Sequence, residues 1–136
     1  MAFVLATVRG CLASGTIVSM RRTVLIVDDH EGFRDSARAL LEAEGFTVLG
    51  AVGAGDAAVA AVERLHPEVV LLDIELPDLD GFAVAERLAP LAEPPVVVLI
   101  SGRDAAAYGV RLAAAPARGF LPKWGLSGAA LAELVG

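Results

Sequence analysis

One cysteine, Cys11, is all that the 136 residues contain, so no internal disulfide can form and a reducing compartment, the cytoplasm, is expected. No run of about 18 apolar residues occurs, so no membrane-spanning helix is expected. Basic residues are outnumbered, with 11 Lys and Arg against 17 Asp and Glu and a formal net charge of −6. That balance excludes a phosphate-backbone binder, which needs a basic stripe, and leaves room for a divalent cation or a basic partner surface. Internal repeats and low-complexity linkers are absent as well. What is present is apolar: 56% of the residues are hydrophobic and only 21% charged, which excludes disorder. The length fits one domain, able to bury about two-thirds of its unfolded surface.

The first twenty residues differ from the rest. They carry one charge, Arg9, with scattered Gly and Ser and no helical or strand period. Arg9 interrupts the apolar stretch where a signal peptide would place its basic residues earlier, and it spoils Val8–Cys11 as a lipid-attachment box. The expected division is a poorly ordered N-terminal extension over 1–20, with Met20 as the physiological start, and one folded domain over 21–136. Deleting residues 1–19 is expected to leave melting temperature and activity unchanged.

From Thr23 onward strands and helices alternate. Thr23–Val27 reads as a buried strand ending at Asp28 and Asp29. Phe33, Ala37, Leu40, Leu41 and Glu44 mark helical turns, with Gly45 as the stop. Phe46 to Val52 is a second strand. Asp56 is expected to cap a helix whose Val59, Val62 and Leu65 face inward and which ends at His66-Pro67. Val69 to Leu72 is a third strand, four apolar residues without a polar break, as in a strand buried on both faces of a parallel sheet. It stops at Asp73. Phe82, Ala85 and Leu88 give a short third helix, and Val96 to Ile100 is the most hydrophobic strand. Asp104 to Ala114 is helical in composition, weakened by Gly109 and ended by Pro116. Gly119–Leu121 is a short fifth strand, and Ser127 caps a last helix through Val135. Five strands alternating with five helices predict a parallel sheet covered on both faces.

Four strands end in polar residues: Asp28 and Asp29, Asp73, Ser101, and Lys123 just past the fifth. With sheet order 2-1-3-4-5 these strands are neighbours, and their ends converge on the crevice where open α/β sheets bind ligands. Three carboxylates there repel; a pair at 4 Å costs about 4 kcal/mol at an effective dielectric of 20. A fold keeps such a cluster when a cation occupies it or a carboxyl is protonated. Mg²⁺ suits an open all-oxygen site of two or three carboxylates completed by water and a substrate phosphate. Lys123 offers a point charge for a phosphoryl group, and Ser101 a hydrogen bond to it.

Four stretches carry a resemblance: Val24–His30, Leu72–Gly81, Val98–Gly102 and Gly119–Lys123. From about Thr23 onward the chain resembles the receiver domain of two-component response regulators. The resemblance implies a flavodoxin-like three-layer fold, with a five-stranded parallel sheet of order 2-1-3-4-5 and five helices. It also implies that Asp73 takes a phosphoryl group from the phosphohistidine of a sensor histidine kinase or phosphotransfer protein. Carried over by position, Asp29 and Asp73 ligate Mg²⁺ directly with the backbone carbonyl of Glu75, and Asp28 acts largely through metal-bound water. Lys123 pairs with the phosphoryl oxygens. Ser101 and Phe120 form the switch pair, the hydroxyl moving toward the phosphoryl group and the ring turning inward. Such a protein catalyses its own phosphorylation and dephosphorylation rather than turning over external substrates. No further cofactor, nucleic acid or membrane contact is implied.

The same resemblance places a partner surface, for an unidentified downstream protein or a second copy of the chain, on the face of helix four, strand five and helix five. That face includes Arg111 and Trp124. Trp124 follows Lys123 where many receivers have Pro, and Pro122 precedes it. Glu75 and Arg103 flank the pocket, in positions that tune phosphate lifetime in this family. The expectation is a stand-alone receiver. The alternatives are a receiver truncated before a DNA-binding output domain and a binding module independent of phosphorylation.

Other readings of the same residues are weaker. Asp28 and Asp29 could merely cap the first helix, and Lys123 could be an ordinary exposed lysine. His30 and His66 read as a solvated loop residue and a helix end, and Asp78 and Asp80 as residues that shape their loop. A phosphatase with an aspartate nucleophile would want its Asp-x-Asp on the first strand and a second acid for the leaving group. A flavin-binding module would want a Ser/Thr/Gly-rich loop after strand one, where Asp28-Asp29-His30-Glu31 would repel a phosphate.

Overall fold

Two sets of side chains alternate along the strands, and they pack on opposite faces of one sheet. The computed structural model describes residues 22–136, and the expectation of an N-terminal extension lies outside the described residues. The strands are β1 (Thr23–Val27), β2 (Thr47–Val52), β3 (Val69–Asp73), β4 (Val96–Ser101) and β5 (Gly119–Pro122), all parallel, in the order β2-β1-β3-β4-β5. The helices are α1 (Glu31–Ala43), α2 (Gly55–Leu65), α3 (Gly81–Leu88), α4 (Val110–Ala114) and α5 (Gly128–Val135). This is the parallel sheet covered on both faces that the alternation predicts, in the flavodoxin-like order that the resemblance implies.

Leu25, Val27, Val70, Leu72, Val97 and Leu99 meet Ala58 and Val62 of α2 and Phe82, Val84 and Leu88 of α3 on one face. Val24, Ile26, Val69, Leu71, Val98 and Ile100 meet Ala37 and Leu41 of α1 and Leu131 and Val135 of α5 on the other. Burial on both faces is why these strands are unbroken apolar runs rather than alternating ones. Edge strand β2 is irregular: Val24 pairs with Val48 but Leu25 with Gly50, which leaves Leu49 as an extra residue.

Helix ends follow local chemistry, with two departures from expectation. Asp80 Oδ1 accepts the Ala83 N–H at 2.9 Å, and Ser127 Oγ accepts the Ala130 N–H at 3.0 Å, as N-caps do. Asp56 is not the cap of α2: it lies inside the first turn, with Ala54 at the cap position. The carboxylate of Asp78, far along the chain, accepts the N–H groups of Gly55 and Asp56 at 2.8 and 3.0 Å. The expected helix over Asp104–Ala114 is a 3-10 turn at Ala105–Ala107 followed by five residues of α4. Gly109, at φ 58°, breaks it. Among the described residues, no helix is long and apolar enough to cross a membrane.

Candidate functional site

β1 and β3 are adjacent, so the residues leaving their carboxyl ends meet. Ligand atoms of Asp28, Asp29, His30 and Asp73 all lie within 4.8 Å of one another. Asp28 and Asp73 are buried, whereas Asp29 and His30 face solvent. Asp28 Oδ1 accepts the His30 N–H at 2.8 Å, and Asp73 Oδ1 accepts the Glu75 N–H at 3.0 Å. Arg34 reaches back from α1 to donate to the Asp28 carbonyl at 2.7 Å, fixing the end of β1. Neither Asp28 nor Asp29 caps α1, whose N-cap position is His30 with no side-chain capping bond; its ring Nδ1 lies 3.3 Å from Asp28 Oδ1 and 3.2 Å from Asp29 Oδ1 instead.

Lys123, just past β5, enters the cluster from the other side. Its Nζ lies 2.5 Å from Asp28 Oδ2 and 3.4 Å from Asp73 Oδ2, and 4.7 Å from the centre of the Phe33 ring. At that distance the ammonium is the partner of Asp28 Oδ2, and this buried oxygen has no other. Burial pushes the carboxyl of Asp73 up to about 6; the Glu75 N–H pulls it back, Asp28 adds to the rise, and Lys123 opposes it. Burial works against the Lys123 ammonium too, but the carboxylates of Asp28 and Asp73 outweigh it and its pKa lies above the ordinary value.

The loop after β3 is drawn tight against it. The Gly81 N–H donates to the Ile74 carbonyl at 2.8 Å, and a Cβ on Gly81 would lie 2.5 Å from the Asp73 carbonyl oxygen. Glu75 and Arg103 meet at the rim, with Arg103 Nε 3.2 Å from Glu75 Oε2. Ser101 is buried at the end of β4, and Phe120 is half-buried on β5. Trp124 is 81% exposed. Arg111 is tied down, pairing with Asp80 at 2.9 Å and lying over the Phe82 ring at 4.3 Å.

One residue missing from the sequence reading joins this group. Tyr108 Oη lies 2.5 Å from Ser101 Oγ and 3.1 Å from Glu75 Oε2. Its only mark in the sequence is to be the sole tyrosine, set in an alanine-rich stretch.

A doubly wound parallel sheet with three carboxylates, a lysine and a hydroxyl gathered at its strand ends places them in the crevice where such sheets bind ligands. The chain belongs to the response regulator receiver domain family, which it matches over residues 24–133. It is 31% identical over 99 residues to the DNA-binding transcriptional activator EvgA of Escherichia coli K12, covering 73% of this chain and 48% of EvgA. The signal receiver domain of NarL from Mycobacterium tuberculosis superposes with a TM-score of 0.74 at 32% identity, over 85% of this chain and 98% of that one. A CheY-like receiver domain protein from Methanospirillum hungatei gives 0.70 at 27% identity, over 83% and 89%. The chain thus spans about half the length of the curated relatives it matches.

Proposed function

We propose that Asp73 accepts a phosphoryl group from the phosphohistidine of a sensor kinase or phosphotransfer protein, in a Mg²⁺-dependent reaction that switches a partner-binding surface. The observation that carries this reading is the buried carboxylate pair Asp28 and Asp73, sharing one ammonium, with Asp29 beside them at the mouth. The donor set fits a hard divalent cation: three carboxylates close together, with Asp28 Oδ2 buried and met by no group but the Lys123 ammonium. Asp28, Asp29, Asp73 and the Glu75 carbonyl would hold it, and when bound it supplies neutralisation of the charge that builds up on the phosphoryl oxygens.

The chain's own residues do the rest. An Asp73 carboxylate oxygen forms the new bond to phosphorus as the phosphorus–nitrogen bond of the donor histidine breaks, and the electron pair leaves with the imidazole. Lys123, already in contact with Asp73, stands ready to pair with the incoming phosphoryl oxygens. Ser101 and Phe120, on adjacent strands, register the new group, the hydroxyl turning toward it and the ring inward. Positioning and charge stabilisation are nearly all that such a transfer asks of a protein.

A second reading has its own support. EvgA is about twice the length of the matched stretch and is a DNA-binding activator. On that reading the 21–136 region is the receiver of a longer regulator, and phosphorylation controls an output module rather than a separate partner.

Intact mass tests the chemistry, after incubation with a small phosphoryl donor with and without Mg²⁺, on wild type and Asp73→Asn. A Mg²⁺-dependent gain of one phosphoryl group, lost in the variant, is expected. A gain that persists in Asp73→Asn, or no gain and no Mg²⁺ binding, would overturn the assignment.

A further inference from the structure

Ser101 is fully buried, and its hydroxyl is met on two sides. Its Oγ accepts the Arg103 N–H at 3.0 Å and lies 2.5 Å from Tyr108 Oη, which donates to Glu75 Oε2 at 3.1 Å. A phenol has one proton and a serine hydroxyl has one. The Tyr108 proton goes to the Glu75 carboxylate, which has none to give. The Ser101 proton therefore goes to Tyr108. Arg103 Nε lies 3.2 Å from the same Glu75 oxygen.

The ring of Tyr108 is held as firmly as its hydroxyl. It packs edge-on against Phe82 with centroids 5.8 Å apart, and tilted against Phe120 at 6.3 Å. One side chain thus touches Ser101 through its oxygen and lies against Phe120 through its ring.

We propose that Tyr108 is a latch on the receiver: its hydroxyl holds the Ser101 proton that a phosphoryl oxygen on Asp73 would need, and its ring holds Phe120 in place. The proposal rests on the reading of Asp73 as phosphoacceptor and Ser101 as switch hydroxyl. Tyr108 is a positioning residue, acting through Ser101 rather than on the reacting atoms. Occupation of the phosphoryl site must break the Ser101–Tyr108 bond, so the latch lowers the fraction of molecules ready for that group and weakens its apparent binding in proportion.

The test uses beryllofluoride with saturating Mg²⁺, titrated calorimetrically into the full chain. Tyr108→Phe keeps the ring and deletes the hydroxyl, and is expected to bind about three- to tenfold tighter than wild type, the worth of one buried hydrogen bond. The gain is expected to vanish in a Ser101→Ala background and to return with Ser101→Thr, which restores a hydroxyl; a purely structural role for Tyr108 would not follow that pattern. Tyr108→Leu, a second variant without the hydroxyl, must also bind tighter than wild type. Unchanged or weaker binding in the two Tyr108 variants, or an equal gain in the Ser101→Ala background, would overturn the latch while leaving the receiver chemistry standing. Failure of the wild type both to bind beryllofluoride and to gain phosphoryl mass would remove the receiver reading, and the latch with it.

Discussion

Lys123 and Asp28 form an ion pair at 2.5 Å across the carboxyl ends of the sheet, with the Asp28 side chain fully buried and Lys123 partly exposed. The same ammonium faces Asp73 at 3.4 Å. One positive charge thus holds two carboxylates that would otherwise repel.

Removing that charge tests how the pocket balances itself. Lys123→Met keeps the apolar stem and is expected to cost on the order of 3 kcal/mol in chelator, as when one partner of a buried pair is lost. Mg²⁺ is expected to return more stability to the variant than it adds to wild type, because the cation then replaces the ammonium as well. Urea unfolding with and without Mg²⁺ measures both. An equal Mg²⁺ increment in the two proteins would contradict the shared-charge picture.

Gly81→Ala is a steric test of the same site. The added Cβ would meet the Asp73 carbonyl oxygen at 2.5 Å and the Ile74 Cα at 2.8 Å, both backbone atoms that cannot swing away. A loss of about 1–3 kcal/mol is expected, together with slower phosphorylation because the end of β3 must shift. Stability by denaturant and initial rate by mass spectrometry check the two halves separately.

Asp78 supplies the pH dependence. The N–H groups of Asp56 and Gly55 hold its carboxyl well below the usual carboxylate range. A depressed carboxylate contributes stability that is present above its unfolded pKa, near 4 (about 3.9 for Asp), and is lost as pH falls through the folded value. Asp78→Asn should therefore melt below wild type at pH 7, with the gap closing as the pH is lowered below about 4. A gap independent of pH would mean that the carboxylate charge is not what ties the loop to α2.

Most of the site was legible because a strand buried on both faces has no place for a polar residue. In Val24–Val27, Val69–Leu72 and Val96–Ile100, the first polar side chain marks where the sheet ends and the crevice begins. What escaped depends on distance or on a single residue. Asp78 bonds α2 across a loop, a link that no local pattern encodes, so the nearby Asp56 looked like the cap. Gly109 has a φ of 58° that splits a stretch helical in composition, and that break sets Tyr108 facing Ser101 instead of continuing a helix. Alanine-rich sequence carries no period to reveal either.

The two outermost strands have a consequence for how copies of this chain can meet. An open sheet presents unpaired backbone groups at its edges, and a flat, regular edge invites another chain to continue it. Here β2 is kinked by the additional Leu49, and β5 is four residues long and ends in Pro122, which has no N–H to offer. Neither border is a good template for aggregation. A dimer of this chain built by continuing the sheet across either of these strands is therefore not expected.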